Sequence, residues 1–468
     1  MIKQFHNPSL KINSSKEINL DARSIVISAD NSTELNIPLN ELLGCKIFQS
    51  INKNFSPRME VYFTNIKSKK HGKGGIDQLE HREIKTETIF FENINELKDL
   101  RHNILEKLYS HQKEQFIQKV CHQTNDVYYK KALVFLNPEG GKGKALHLYQ
   151  KYKNYFEGNG ISIDVVMTKP NPFTKEFIKN LSKEKLLNYD LIICFSGDGI
   201  VHTILNGFMS RNDIDFDNEK LTIVLMPSGS GCSLTENNMK GGKKAATFEN
   251  VIHSICHFQR RAYSISKYDY LTEEGERGCI YGFLGLNYAF TYNIIVKSEK
   301  LRFLGNRRFG LYKMYEYFFM KSYNTVIYYC KEEDGSLPSI TEGIEGDEFV
   351  INRNPIYFTE LEEVEYISKD HRACPSLVGK ESGMTNLQIF EARHGRFNMI
   401  KVLAQHKENN SDYMTEKGFI NVVKKEYRID LDPDLNKRNV SIDGENYSEL
   451  RIRKLQKSIS GVKFYSLT

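Results

Sequence analysis

At 468 residues the chain is long enough to bury large cores, and its length fits two to three domains. A formal charge of +6 suits anionic ligands or a membrane surface but lacks the concentrated basicity of a dedicated nucleic-acid binder, so no nucleic-acid partner is expected. Eight scattered cysteines, with no CxxC pair or His/Cys cluster, argue against structural zinc and a disulfide scaffold, and without an apolar leader or a bilayer-length apolar run the expectation is a soluble or peripheral protein of a reducing cytoplasm.

Between about Ile18 and Phe91 short β-like runs recur: Ser24 to Ala29, Leu35 to Leu39, Ile47 to Gln49, the alternating Met59 to Phe63, and Thr86 to Phe91. Leu97, Leu100, Ile104, Leu105 and Leu108 then fall on one helix face. Residues 1–120 therefore read as a β-rich domain closed by one helix, with the shape of a pleckstrin-homology-like barrel or sandwich. Lys67 to Gly75, KSKKHGKGG, reads as a loop between strands. It either touches anionic headgroups or stays solvated. Gln112 to Lys130 is polar and includes a linker.

From 131 to 260 the pattern is α/β. Ala132 to Leu136 is a strand that runs into Asn137 to Lys144, NPEGGKGK, and a helix pattern through Phe156. Neither a Walker A loop nor a Rossmann fingerprint is present. Even so, Gly140, Gly141 and Gly143 expose backbone donors beside Lys142 and Lys144, a combination suited to nucleotide phosphates. Ile161 to Met167 alternates as a strand ending at Thr168, and Pro172 to Leu187 is helical. Asp190 to Phe195 is a buried strand, and Ile200, Val201, Ile204, Leu205 and Phe208 form a helix face.

The turn Ser196 to Gly199 thus joins a strand's carboxyl end to a helix's amino end, where free N–H groups and the helix dipole attract phosphate. Gly197 and Gly199 permit close approach to a ligand, and Asp198 stands between them; a solvated Asp in an ordinary turn is the plainer alternative. Leu221 to Met226 is one more strand, ending in Pro227 to Gly231, PSGSG. Three strand ends with Gly-rich loops, at 137, 196 and 227, are expected to gather on one sheet edge as a single nucleotide site.

From Tyr263 the texture turns aromatic and β-like, as in Tyr281 to Val296 and Val422 to Leu431, so 261–468 reads as a mostly antiparallel second lobe. Ser298 to Gly305, SEKLRFLG, with Arg307 and Arg308 supplies guanidinium groups for phosphate, or else a polar helix end or surface loop. Val440 to Glu445, VSIDGE, reads as a strand turning at Asp443 and Gly444, for which a purely structural hairpin is the simpler account. Glu332 to Cys374 reads as acidic, irregular loops, and no pattern designates a metal ligand.

At these motifs the sequence resembles the lipid kinases of the diacylglycerol kinase catalytic fold, and most closely the sphingosine and ceramide kinases. LVFLNPEGGKGKAL resembles the family's nucleotide loop, SGDGIVHTILNG its central signature and PSGSGCSL its P-A-G-S-G-N segment, while SEKLRFLG with Arg308 and SIDGE look like the second lobe's nucleotide contacts. The resemblance implies an α/β nucleotide-binding lobe plus an antiparallel β lobe, with ATP and Mg²⁺ in the cleft between them. It implies Asp198 as catalytic acid/base, and nucleotide contacts from Asn137, Pro138, Gly140, Gly141, Lys142, Gly143, Lys144, Thr168, Ser196, Gly197, Gly199, Ser228, Gly229, Ser230, Arg302, Arg308, Asp443, Gly444 and Glu445. Ser196, Asp198, Asn293 and Ile295 would face the lipid.

Three positions depart from the pattern. Thr203 replaces a Glu usual in sphingosine kinases, and Cys232 replaces the Asn of P-A-G-S-G-N. The D-x-D motif, whose second Asp recognises the lipid head, reads Asn293 to Ile295, NII, and Ile cannot accept a hydrogen bond. Ceramide kinases resemble the chain here. The expectation is an ATP-dependent kinase of a sphingoid base's primary hydroxyl, with ceramide, diacylglycerol or NAD as other acceptors, or a catalytically silent lipid- or membrane-binding relative. It would act at membranes in its own cytoplasm, or in another cell's as an injected protein.

Overall fold

The structure is a computed structural model. It describes residues 10–468 except 13–15, 22, 30–31, 49–56, 72–77, 91–93, 111, 113–118, 121–126, 139–142, 216–220, 230–231, 305–306, 370, 378–382 and 408–414.

The amino-terminal region forms two antiparallel meanders, of four strands between Leu10 and Pro38 and of three between Leu42 and Phe90. The helix Ile94–Ser110 closes them. Its Leu97, Leu100, Ile104, Leu105 and Leu108 pack onto Ile18, Ile25, Ile37, Val61 and Ile89 from both meanders. The basic stretch read as a loop begins inside a strand instead: Arg58–His71 continues through Lys67, which pairs with Glu83 on the neighbouring strand at 3.4 Å. The remainder of that stretch, 72–75, lies outside the described residues.

The α/β lobe is a four-stranded parallel sheet in the order Ile161–Met167, Lys130–Leu136, Leu191–Ser196, Ile223–Pro227. Its central strands are apolar on both faces because helices cover both. On one face Ala145–Gly158 and Phe248–His257 bring Tyr152, Phe156, Val251 and Ile252 against Val134 and Ile193. On the other, Phe173–Asn180 and Asp198–Met209 bring Ile178, Val201, Ile204 and Leu205 against Leu133 and Ile192. The chain therefore changes face between strands Lys130–Leu136 and Leu191–Ser196. At such a switch point a crevice opens beyond the strands' carboxyl ends.

The second lobe is a sandwich of two six-stranded antiparallel sheets. Tyr268, Leu286, Tyr288, Leu361, Leu387, Ile389, Ile429 and Leu455 fill the space between them. The carboxyl-terminal strand Ile452–Leu467 belongs to one sheet but ends on the α/β lobe, where the Tyr465 N–H donates to Leu221 at 2.7 Å.

Two readings are corrected here. The β-like run to Val296 divides: Arg277–Gly282 and Gly285–Ala289 are strands, but Phe290–Leu304 is a series of helical turns kinked at Leu301, ahead of the helix Arg307–Phe319. The acidic stretch Glu332 to Cys374 is irregular only as far as residue 348; beyond that it contains the strands Phe349–Asn352 and Ile356–Glu362, the latter central in its sheet. Burial on both faces of Ile356–Glu362 erases the apolar/polar alternation that marks a half-buried strand.

Candidate active site

The three loop-bearing strand ends meet at the switch point. The Asn137 N–H donates to Phe195 at 3.3 Å, and its amide reaches the Ser196 hydroxyl at 3.4 Å. The Thr168 N–H donates to Leu136 at 2.8 Å. The Ser228 hydroxyl donates to Ser196 at 3.2 Å, and an added Cβ on Gly197 would stand 4.0 Å from Gly229. Asn137, Thr168, Ser196, Gly197, Ser228 and Gly229 thus line one sheet edge. Pro138, Gly143 and Lys144 follow at its exposed rim, with Gly143 at φ 77°, a conformation open to glycine. Gly140, Gly141, Lys142 and Ser230 lie outside the described residues.

Asp198 is the first residue of its helix. Its carboxylate accepts the main-chain N–H groups of Ser233 at 2.8 Å and Leu234 at 3.1 Å. These are orphan donors at the start of the helix Ser233–Gly241, whose N-cap, Cys232, supplies no side-chain cap. Asp198 is thereby fixed between two helix amino termini. Burial pushes its carboxyl above the ordinary range, and the two N–H bonds oppose that rise. Thr203 is turned into its own helix, with its hydroxyl on the Gly199 carbonyl at 2.9 Å.

The second lobe reaches this turn through its DGE hairpin. The Glu445 carboxylate lies against Gly199, in the space that an added Cβ would take. Ile295 packs beside Gly444, 4.0 Å from where a Cβ there would lie. Asp443 faces inward. Its buried carboxylate accepts the N–H groups of Phe283, Leu284 and Gly285 at 2.8–3.2 Å and meets His202 Nδ1 at 2.8 Å. With no exposed surface on that side chain, Asp443 joins the lobes, and of the D-G-E hairpin residues only Gly444 and Glu445 keep exposed surface.

Arg308 is buried at the start of its helix and pairs with Glu299, while its Nη1 lacks a partner among the described residues. Arg302 lies in the turn Ser298–Leu304, and its side chain is outside the described residues. Asn293 donates to Glu316 at 2.9 Å on the helix Arg307–Phe319.

Residues not singled out from sequence complete the junction. His202 Nε2 meets the Tyr447 hydroxyl at 2.6 Å, so a buried Asp443–His202–Tyr447 chain crosses between lobes. The Asn206 amide pairs with both main-chain groups of Tyr281, at 2.8 and 3.0 Å, and the Asn237 amide does the same at Tyr366, at 2.6 and 3.0 Å. A His and an Asn four residues apart on an otherwise apolar helix were the available signal.

Residues 131–267 match the family model for the diacylglycerol kinase catalytic domain. Sphingoid long chain base kinase 4 of Schizosaccharomyces pombe is 25% identical over 358 residues, covering 70% of this chain and 74% of that protein. Mouse sphingosine kinase 1 is 32% identical over 185 residues, covering 38% of this chain and 46% of that protein, so the match spans under half the mouse enzyme's length. A solved structure of a putative diacylglycerol kinase from Bacillus anthracis superposes with a TM-score of 0.49 at 15% identity, covering 72% of this chain and 97% of that one. The catalytic-domain match spans the three Gly-rich strand ends and Asp198, and the chain is similar to sphingosine and long-chain base kinases.

Proposed function

We propose that the chain transfers the γ-phosphoryl group of ATP to the primary hydroxyl of a sphingoid base in the crevice between its lobes. The observation that carries this reading is the fixed carboxylate of Asp198 at the meeting of two helix amino termini, facing the Gly-rich strand ends. Two oriented N–H bonds leave its other lone pairs to align the acceptor hydroxyl and take its proton as the phosphoryl group is transferred. Backbone N–H groups at 197–199, with Lys144 and Arg308, offset the charge on the triphosphate.

Among the described residues no group of three or more His, Cys, Asp or Glu side chains converges on one point. A Mg²⁺ ion would therefore be held chiefly by triphosphate oxygens, with Glu445 as the carboxylate at hand, which suits an ion that keeps few protein ligands. Bound there, it would neutralise charge on the β- and γ-phosphates.

Peripheral membrane association is part of the same reading. Among the described residues no helix is long and apolar enough to cross a membrane. Support for association comes from two neighbouring helices, Arg307–Phe319 and Arg396–Lys407, joined where Arg396 donates to Met320 at 2.9 Å. They expose Phe318 (64%), Phe319 (65%) and Phe397 (84%) with Leu311 and Met314, and carry exposed Arg307, Arg396 and Lys401 beside them. Aromatic side chains flanked by cations fit an anionic bilayer surface.

The test is a labelled-ATP assay on sphingosine, ceramide and diacylglycerol presented in phosphatidylserine vesicles, run beside Asp198→Asn. That variant keeps one acceptor for the Ser233 and Leu234 amides and should fold. Transfer to sphingosine that falls at least a thousandfold in the variant is expected from loss of a base and its alignment. A variant with near-normal turnover refutes the role of Asp198.

A further inference from the structure

We propose, resting on the sphingoid-base reading above, that a row of buried polar residues in the second lobe, centred on Glu360 and Glu362, binds the ammonium and hydroxyl groups of the lipid head and so selects a free long-chain base over its N-acylated form. Successive same-face positions on a strand lie about 7 Å apart. Glu360 and Glu362 therefore stand side by side on the face of Ile356–Glu362 that points away from the sandwich core.

Register extends that face across neighbouring strands. Gln388, Glu360, Asn287 and Ser441 are successive cross-strand partners, and in the next row Asn386, Glu362 and Gly285 are. One row the other way, Phe390 and Phe358 are apolar and packed beneath the two exposed helices. The face is thus graded from apolar to acidic, as an amphiphile requires.

Its polar end lies toward Asp198. Glu362 is paired across the sheet with Gly285, whose N–H binds Asp443 at 3.1 Å. Asp443 in turn holds His202, one helical turn from Asp198. The acidic end is therefore the head end.

The row is also short of partners in the way a ligand site is. Glu362 is 4% exposed. Its electrostatic neighbours are Glu360, Glu363 and Asp443, all acidic. Glu360 has the Thr291 hydroxyl and faces one cation, Lys313. Asn386 Oδ1 and Ser441 Oγ, both fully buried, have no hydrogen-bond partner among the described residues. The Asn386 and Gln388 amides donate elsewhere, to Cys374 and Ala373. A buried acid with unmet acceptors beside it calls for a cationic, hydroxylated guest. An ammonium supplies what Glu362 lacks, and the head's hydroxyls supply donors for Asn386 and Ser441. Asn293 to Ile295 offers no acid for this purpose, since Asn293 is itself spent as a donor on Glu316.

The experiment compares the full chain with Glu362→Gln, Glu360→Gln and the double variant, measuring kcat and KM for sphingosine and for an N-acylated sphingosine in identical vesicles. The expected result is a roughly ten- to hundredfold loss of kcat/KM for sphingosine, the scale of one charge-assisted bond, carried by KM. The N-acylated lipid should change little, so the preference for the free base collapses. A merely structural role would lower kcat for both lipids together. If the wild-type chain phosphorylates sphingosine and all three variants match it within twofold, this inference is overturned while the kinase reading stands. If the wild-type chain phosphorylates neither lipid, both are overturned.

Discussion

Replacing Asp443 separates a joint between lobes from a ligand contact. In Asp443→Ala, three buried N–H groups and His202 lose their shared acceptor. Left unmet, each group costs about 1–3 kcal/mol, and water entering the vacated space restores part of this. The net loss should be about 3–5 kcal/mol, the summed cost of several unmet buried groups less what water restores. Asp443 also adopts φ 54°, which adds about 1 kcal/mol for Ala. Asp443→Asn tolerates that conformation and keeps a carbonyl for the three amides. It forfeits the charge-assisted bond to His202, about 2 kcal/mol. Urea denaturation followed by circular dichroism should therefore order the proteins wild type, Asn, Ala, with about 3 kcal/mol between the variants. If Asp443→Ala costs less than 1 kcal/mol while abolishing ATP binding, the carboxylate is a nucleotide ligand and the inward-facing geometry is wrong.

The Gly199→Ala variant places a methyl group where the Glu445 carboxylate lies, and a flexible side chain can retreat. Stability should hold within about 1 kcal/mol while kcat falls at least tenfold; unchanged kcat would remove Glu445 from the site. A pH effect is expected where the amino-terminal domain meets the helix Phe248–His257. Burial holds His253 well below its ordinary value and His257 down at about 3, and His253 Nε2 lies 2.8 Å from the Asn40 carbonyl. Because the unfolded chain takes up these protons near pH 6.5 and the folded chain resists them, stability is full above that pH. It falls by about 1.4 kcal/mol per pH unit for each group as pH drops. His253→Gln keeps a donor for Asn40 and removes one titration, so its stability between pH 6 and 4.5 should decline less steeply than wild type; equal slopes would show that His253 protonates freely in the folded chain.

The α/β lobe was legible because its physics is local. Strands apolar on both faces and Gly-rich turns between periods announce a parallel sheet with ligand loops at one edge, and Asn137, Ser196 and Ser228 are found there. The second lobe was legible only in its β character. Phe290–Leu304 carries β-branched and aromatic residues, which propensity assigns to strands, yet packing winds it into helical turns above the Phe358 and Phe390 rings. Glu360 and Glu362 made their strand look like a solvated loop, since periodicity assumes that acids face water. His202, Asn206 and Asn237 were hidden for the same reason. On a helix, polar residues opposite the apolar stripe look alike whether they face solvent or a second lobe.

These hidden polar residues share one physical logic. The helix Asp198–Met209 is held on both sides, by apolar packing on its sheet and by His202 and Asn206 on the second lobe. Asp198 and the DGE hairpin are consequently parts of one rigid joint, which suits a reaction that depends on alignment. The acids at Glu360 and Glu362 are the opposite case. Burial pushes both carboxyls upward, and at Glu362 the neighbouring acids Glu360, Glu363 and Asp443 add to the rise, so the folded chain binds those protons more tightly than the unfolded chain does. Their destabilising effect is absent at acid pH and grows as pH rises through the unfolded carboxyl range toward the raised folded values. Nothing in the sandwich core requires carboxylates at those two positions, since Leu361 between them already supplies the apolar packing. A destabilising feature with no structural return, at the cleft end of a face that grades into phenylalanine, is what a recognition site looks like before its cationic ligand arrives.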